Sequence, residues 1–348
     1  MAKERIEDFF KKYQYDVPVD QIAHYPASPR DSARLLVYNR KTKQTIFDTF
    51  ANIVAYLPPR SIIVCNDTKV IPARLSLRKQ TMAVVNILYV DSNADGSANV
   101  LANKHLRIGE TLFLDNKKIC TVIEKTEKIY TIKRYGSNSN MRAVFERSGT
   151  MPLPPYIKNN IASAQKKSKD YQTIFAKNTG SIAAPTASLH FTKKLINKIE
   201  KDGHTICFVT LQVGLATFSP VAQHQLDTKT LHKEYISVSK ETARIINAGK
   251  KSGRTIVAIG TTAARTLESA VDHRGMVTPY EGTTDLFIQE GHAYKIVDEL
   301  VTNFHVPRSS LLALVSAFAG RKIVLELYRQ AIERKFRFFS FGDAMYIK

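Results

Sequence analysis

With 348 residues the chain is long for one compact core and favours two domains. Hydrophobic residues make up 44%, enough for a folded interior, so disorder is not the default. Its 51 Lys and Arg against 31 Asp and Glu leave +20, which points to a polyanionic partner, nucleic acid ahead of an anionic membrane; a lysine-rich soluble surface would give the same count.

Three cysteines, Cys65, Cys120 and Cys207, lie far apart in apolar runs with no C-x-x-C spacing. Their odd number and scatter argue against a disulfide framework and against zinc. The start, "MAKERIEDFFKKY", has no apolar signal core, and "SSLLALVSAFAG" (309–320) is too short to span a bilayer. A soluble, cytoplasmic protein is expected, with no membrane partner.

Along the chain, "IFDTFANIVAYL" (46–57) places Phe47, Phe50, Ile53, Val54 and Leu57 on one helical face, which predicts a helix ended by Pro58-Pro59. "SIIVCN" (61–66) follows as a buried strand. From Arg74 to about residue 135 the texture is short β-type runs such as "AVVNILYV", "ETLFL" and "IYTIKR", the pattern of a small barrel or sandwich. A polar stretch from Lys158 to Lys169 reads as a mobile connection. Then "KKLINKIEKDG" (193–203) is an amphipathic helix closed by Gly203, "HTICFVTLQVG" (204–214) a buried strand, and "SKETARIINAGKKSG" (239–253) a helix with Ser239 as N-cap. "RTIVAIG" reads as another core strand. The expected fold is α/β: a mixed-sheet catalytic domain formed by residues 1–73 and 150–348, interrupted by a small all-β, barrel-like module at 74–149.

Several segments can carry chemistry. "AIGTTAARTLESA" (258–270) is a strand, then Gly-Thr-Thr, then a helix carrying Arg265; the helix N-terminus with Thr261 and Thr262 suits a carboxylate or phosphate, although it is neither a P-loop nor G-x-G-x-x-G. An ordinary Thr-capped helix has the same look. "LVTNFHVPRSSLL" sets Asn303 and His305 at a strand end before Pro307, where an imidazole can carry a proton or simply serve as a hydrogen-bonded structural group. "RFFSFGDAM" ends an aromatic β-like run on Gly342-Asp343, a candidate acid, base, hydroxyl anchor or turn cap. "NDTKVIPARL" (66–75) exits a strand with Asp67, where open α/β sheets place ligands. "LHKEY" (231–235) offers H-x-E, but no P-C-x-x-C follows, so zinc deamination is set aside. "GSIAAPTASLHFTKK" (180–194), with Thr186 and His190, fits neither helical nor strand period and reads as an ordered loop.

The order of these segments is more telling than any one of them. "SPRDSARLLVYNR", "NDTKVIPARL", "MPLPPYI", "GSIAAPTASLHFT", "VTLQVG", "GTTAARTLE", "TTDLFI", "TNFHVPRSSLLALVSAF" and "RFFSFGDAM" follow one another as in the S-adenosylmethionine:tRNA ribosyltransferase-isomerases of queuosine biosynthesis, which the chain resembles over about residues 14–347. The likeness is weakest across 76–148, where that family places a small inserted β-barrel. It implies transfer of the ribosyl part of S-adenosylmethionine to 7-aminomethyl-7-deazaguanine in a tRNA anticodon, giving epoxyqueuosine and releasing adenine and methionine. No metal or resident cofactor is implied; S-adenosylmethionine is consumed as co-substrate. Partners would be the tRNA bearing that base and S-adenosylmethionine, and a monomer is expected.

Such a reaction needs a base for the proton beside the sulfonium, an acid for adenine, and donors for developing charge. His190, His305 and Asp343 are the candidates for proton transfer. Thr261, Thr262 and Arg265 suit the methionine carboxylate; Arg34, Asp67 and Asn303 are ribose or base contacts; Thr186 lies in "GSIAAPTASLHFT", the loop that the resemblance implies is part of the substrate pocket. The chain departs from the family pattern at "LQVGLATF" (211–218), where Gln212 replaces a histidine and Ala216 a glycine, so no proton carrier near pH 7 remains there. These two residues favour an alternative, a divergent relative that binds tRNA or S-adenosylmethionine without turnover. A methyltransferase is set aside, because no glycine-rich turn with an acidic ribose anchor is present.

Overall fold

The computed structural model describes residues 4–136, 140–157, 162–214 and 221–348. Ala216 and positions 158–161 of the polar stretch lie outside the described residues.

Before the insertion come β1 (Arg34–Tyr38), β2 (Thr45–Thr49), β3 (Ile62–Asn66) and β4 (Thr68–Val70). Six strands then build a closed barrel: β5 (Arg74–Lys79), β6 (Val84–Ser92), β7 (Ala98–Ala102), β8 (Thr111–Leu114), β9 (Lys117–Thr126) and β10 (Ile129–Arg134). After it run β11 (Asn178–Ser181), β12 (Thr205–Leu211), β13 (Thr230–Val238), β14 (Ile256–Ile259), β15 (Tyr280–Leu286), β16 (Glu299–Asn303) and β17 (Ala344–Ile347). Every residue of β3, β14, β16 and β17 is buried, as expected of strands covered on both faces.

The large sheet has nine strands in the order β15-β13-β12-β3-β14-β16-β17-β1-β2. The central β12, β3, β14 and β16 are mutually parallel. β17 runs antiparallel to β16 and parallel to β1, which makes the sheet mixed. On one face pack the helices at 240–251, 260–269, 310–319 and 321–333, over a core that includes Leu300, Phe304, Leu312 and Tyr328. The other face carries the 3-10 turn Phe50–Tyr56 and the helix Lys193–Lys201, with Phe50, Ile53, Leu195 and Val301 between them. Caps sit where the residues indicate: the Ser239 side chain accepts from Thr242 N, and Gly203 leaves the preceding helix at φ +84°.

Inside the barrel, Leu75, Leu77, Val85, Ile87, Val100, Leu112, Val122 and Ile132 fill the lumen. β6 alternates exposed and buried positions over its first half, the period-2 signature that made the module readable. Met141, Val144 and Phe145 of the helix Met141–Ser148 pack onto the same core. Entry and exit of the insertion are hydrogen-bonded neighbours: Arg74 N donates to Thr150 O at 3.1 Å and Thr150 N to Arg74 O at 2.8 Å.

Some local expectations fail for identifiable reasons. The helix expected over 46–57 is strand β2 followed by the 3-10 turn. Pairing of Phe47 with Leu36 of β1 draws the first residues into the sheet, while Phe50 and Ile53 still bury at three-residue spacing. Within the polar stretch, Ala164–Asp170 is a helix capped by Ser163, so this part is ordered. The aromatic run before Asp343 is not a strand; β17 starts after it, at Ala344. Among the described residues no helix is long and apolar enough to cross a membrane.

Candidate active site at the carboxyl edge of the sheet

Strand direction brings the sequence-marked residues to one rim. Asn66 closes β3 with Asp67 after it, Gln212 follows β12, Gly260-Thr261-Thr262 follow β14, and Asn303 closes β16. Because β17 is antiparallel to β16, with Asn303 opposite Ala344, Asp343 precedes its strand at the same rim. Arg34 joins it, since Leu35 of β1 pairs with Ala344. From β12 to β16 are three strand spacings, a rim of about 14 Å at ~4.8 Å each.

The loop 180–192 lies across this rim. Ile182 N donates to Val213 O at 2.9 Å, and Val213 N to the Ser181 hydroxyl at 2.9 Å. Gly180 lies against the Gln212 side chain: a Cβ there would come within 2.4 Å of its amide, at φ +159°. Farther along, residues 186–190 form a 3-10 turn, with the half-buried Thr186 at its start and Ala187 against Gly260. The span ends on β16, where His190 Nε2 meets Asn303 Oδ1 at 3.1 Å. What reads in sequence as an aperiodic loop is a strap tied at both ends.

His190 is buried and lies 4.8 Å from the Phe50 ring, centroid to centroid. Burial pulls its pKa down to about 4, against the opposing pull of the Asn303 bond and the Asp343 charge. Asn303 Nδ2 donates to Phe339 O at 2.9 Å and to Ser340 O at 3.3 Å. Asp343 receives Arg34 N at 3.0 Å, Arg337 N at 2.8 Å, and Arg337 Nη2 at 3.1 Å. His190, Asn303 and Asp343 therefore form one cluster, in which the carboxylate is already saturated with donors.

His305 stands apart from them. Its Nε2 lies 2.7 Å from the Thr302 hydroxyl, and its backbone is held by the hydroxyls of Tyr328 and Tyr15. Thr302 and Asn303 are successive strand residues, so the two histidines engage opposite faces of β16. Burial again lowers the pKa, to about 4. Arg34 contributes its backbone to the cluster; its guanidinium lies 4.0 Å from the Phe336 ring and donates to Arg334 O.

Beyond β14, Arg265 is buried and bonds Glu234 and Leu286 O. Glu234 also receives Gly214 N at 2.9 Å, which ties the segment after β12 to the helix after β14. Three buried polar atoms at this rim have no partner among the described residues: Ser188 Oγ, Thr262 Oγ1 and Arg265 Nη2. Thr261 is buried beside them in the first helical turn. Asp67 accepts from Thr210 Oγ1 at 2.7 Å and Asn178 Nδ2 at 2.9 Å, and it lines a cleft of about 590 Å³ with Phe175, Phe208 and Thr242. Glu234 is legible in sequence as the acidic member of H-x-E in "LHKEY", whereas Asn178 carries no signal.

A sequence profile described as queuosine biosynthesis protein matches residues 10–347. The chain belongs to that family. Among its relatives, the S-adenosylmethionine:tRNA ribosyltransferase-isomerase of Clostridium kluyveri is 40% identical over 340 residues, covering 97% of this chain and 98% of the relative. The Thermotoga maritima protein of the same name is 42% identical over 338 residues, with 97% and 98% covered. The crystal structure of S-adenosylmethionine tRNA ribosyltransferase from Thermotoga maritima is similar with a TM-score of 0.56 at 34% identity, over 97% of this chain and all of that one. The mixed sheet with an inserted barrel is thus the architecture of a queuosine-family protein, as the order of motifs indicated.

Proposed function

We propose that the chain is a transferase that moves the ribosyl part of S-adenosylmethionine onto 7-aminomethyl-7-deazaguanine in tRNA, with release of adenine and methionine. The observation that supports this most is the full-length family match combined with a single sheet rim holding a proton carrier, a carboxylate and donors that have no partner among the described residues. The rim is wide enough for an extended sulfonium nucleoside. Thr262 Oγ1 and Arg265 Nη2 supply donors for the methionine carboxylate, with Thr261 and the helix N-terminus behind them. Asp67 serves as a ribose contact, and Thr186 and Ser188 line the strap.

His190, on the strap across this rim, is the proton carrier. The proton at carbon 5′ is acidified by the neighbouring sulfonium, and its removal starts opening of the ribose and departure of adenine. Asp343 acts through its field and through the turn it organises, since its oxygens are occupied. His305, on the far face of β16, supports the strand end rather than the reacting atoms. Lys and Arg in excess by 20 give the surface for the tRNA backbone, from which the target base must be presented unstacked. The site is proposed to work in the cytoplasm, with the protein as a monomer.

The test is incubation with labelled S-adenosylmethionine and tRNA carrying the precursor base. Free adenine with methionine is the expected product pair. S-adenosylhomocysteine would show a methyltransferase instead, and binding without products would show a non-catalytic relative.

A further inference from the structure

We infer that Asn303 is a positioning residue that locks His190 in the Nε2–H tautomer and thereby leaves Nδ1 as the proton acceptor of the site. The inference rests on the transferase reading for its chemistry, but its first step is purely geometric. Both Asn303 Nδ2 protons point at main-chain carbonyls, of Phe339 and Ser340. Carbonyl oxygens only accept, so the amide cannot be turned around, and Oδ1 must be the atom facing His190. An amide oxygen brings no proton to the 3.1 Å contact, so Nε2 of the imidazole carries it.

A neutral imidazole has one N–H, which leaves a lone pair on Nδ1. Among the described residues Nδ1 takes part in no hydrogen bond. The ring is neutral at pH 7 because it is buried; of the charges around it, Asp343 favours the imidazolium while Arg337 and Arg30 oppose it. Phe50, against its face, restricts the ring's tilt.

The lock is itself anchored. Gly342 N donates to Phe339 O, Asp343 N to Arg337 O, and Arg337 N back to the Asp343 carboxylate, so the turn 337–343 presents two carbonyls at fixed positions. Gly342 cannot be enlarged, since a Cβ would lie 2.5 Å from Arg337 O and from Phe338 C. Asp343 therefore acts on His190 at two removes, through turn and amide. In the reaction the carbon 5′ proton passes to Nδ1, the C–H electron pair stays on the carbon beside the sulfonium, and the resulting imidazolium keeps its Nε2–H on Asn303.

Nitrogen-15 labelling of histidine in the wild-type protein reads the tautomer directly, with His190 assigned by the signal lost in His190→Gln. The expected result is Nε2–H with a bare Nδ1, unprotonated until near pH 4. An Nδ1–H tautomer, or an imidazolium at neutral pH, overturns the inference. Asn303→Asp then places a carboxylate on Nε2, and the acid limb of kcat for adenine release should move up by about 1–3 pH units. An unmoved limb in a folded Asn303→Asp variant also overturns it. If wild-type protein releases no adenine, the transferase reading fails, while the resting tautomer still decides the Asn303–His190 relation.

Discussion

Replacing Glu234 by Ala tests how the rim is held together. Glu234 and Arg265 are 3% and 5% exposed, so this ion pair is buried and not screened by water. The same carboxylate accepts Gly214 N at 2.9 Å, and Arg265 Nη2 has no partner among the described residues. Removing one member of such a pair strands the other charge, at a cost of about 3–5 kcal/mol, with roughly 1 kcal/mol more for the lost acceptor of Gly214. At a urea dependence of ~3 kcal/mol per molar, the midpoint should fall by about 1–2 M. The chain has no tryptophan, so far-ultraviolet circular dichroism is the probe. Glu234→Gln keeps the shape and the acceptor, and should lose about half as much. Glu234→Leu combined with Arg265→Met should return to within ~1 kcal/mol of wild type, because both charges leave together. A Glu234→Ala midpoint equal to wild type would show that water reaches the pair, and the argument for a dry, tied rim would fall with it.

Gly149→Ala should cost about 1–3 kcal/mol, because the new Cβ would lie 2.1 Å from Pro72 O and 2.4 Å from Phe145 O, both main chain. Gly203→Ala, with φ +84° and open space around it, should cost only ~1 kcal/mol by the same urea measurement; equal losses would contradict the steric account. For His190 the folded pKa of about 4 lies below the ordinary 6.5, so between those values the unfolded chain binds the proton that the folded one refuses. Its share of the stability should therefore fall as pH drops through that window, by about 1.4 kcal/mol per unit; His305 is shifted the same way, so His190→Gln should remove about half of their combined slope in urea titrations. Affinity for tRNA should weaken steeply with salt, with a log–log slope of about −2 to −3 for as few as three phosphate contacts; a flat plot from filter binding would remove the electrostatic role of the +20 charge.

Much of this architecture is legible in the residues. Short alternating runs after Arg74 announce the barrel, and Ser239 and Gly203 mark helix ends that the structure keeps. The order of motifs gave the family. What sequence could not supply is parity and pairing. Thr302 and Asn303 are neighbours in the chain, yet they direct His305 and His190 to opposite faces of the sheet, a difference that appears only once the strand register is known. Segment 46–57 has helical spacing, but its first residues pair with β1, a partner set by the fold and invisible to a local window. Asp343 could be read as acid, base, hydroxyl anchor or turn cap, because nothing in "FGDAM" reveals that Arg337 and the Arg34 backbone would fill its lone pairs. The helix Met141–Ser148 was missed for a simpler reason: its eight residues are too few to establish a period against the strands before it.

The bonded pair at Arg74 and Thr150 explains how the sheet tolerates a 75-residue detour between these two positions. Seen from the host chain, departure and return lie side by side, so the gap to be bridged is only ~5 Å, the reach of a tight turn. A guest whose own fold holds its ends this close has already made the closure, and doubling its length adds only ~0.6 kcal/mol to that cost. A lineage could lengthen, shrink or exchange the barrel while the arrangement of groups along the strand ends stayed in place.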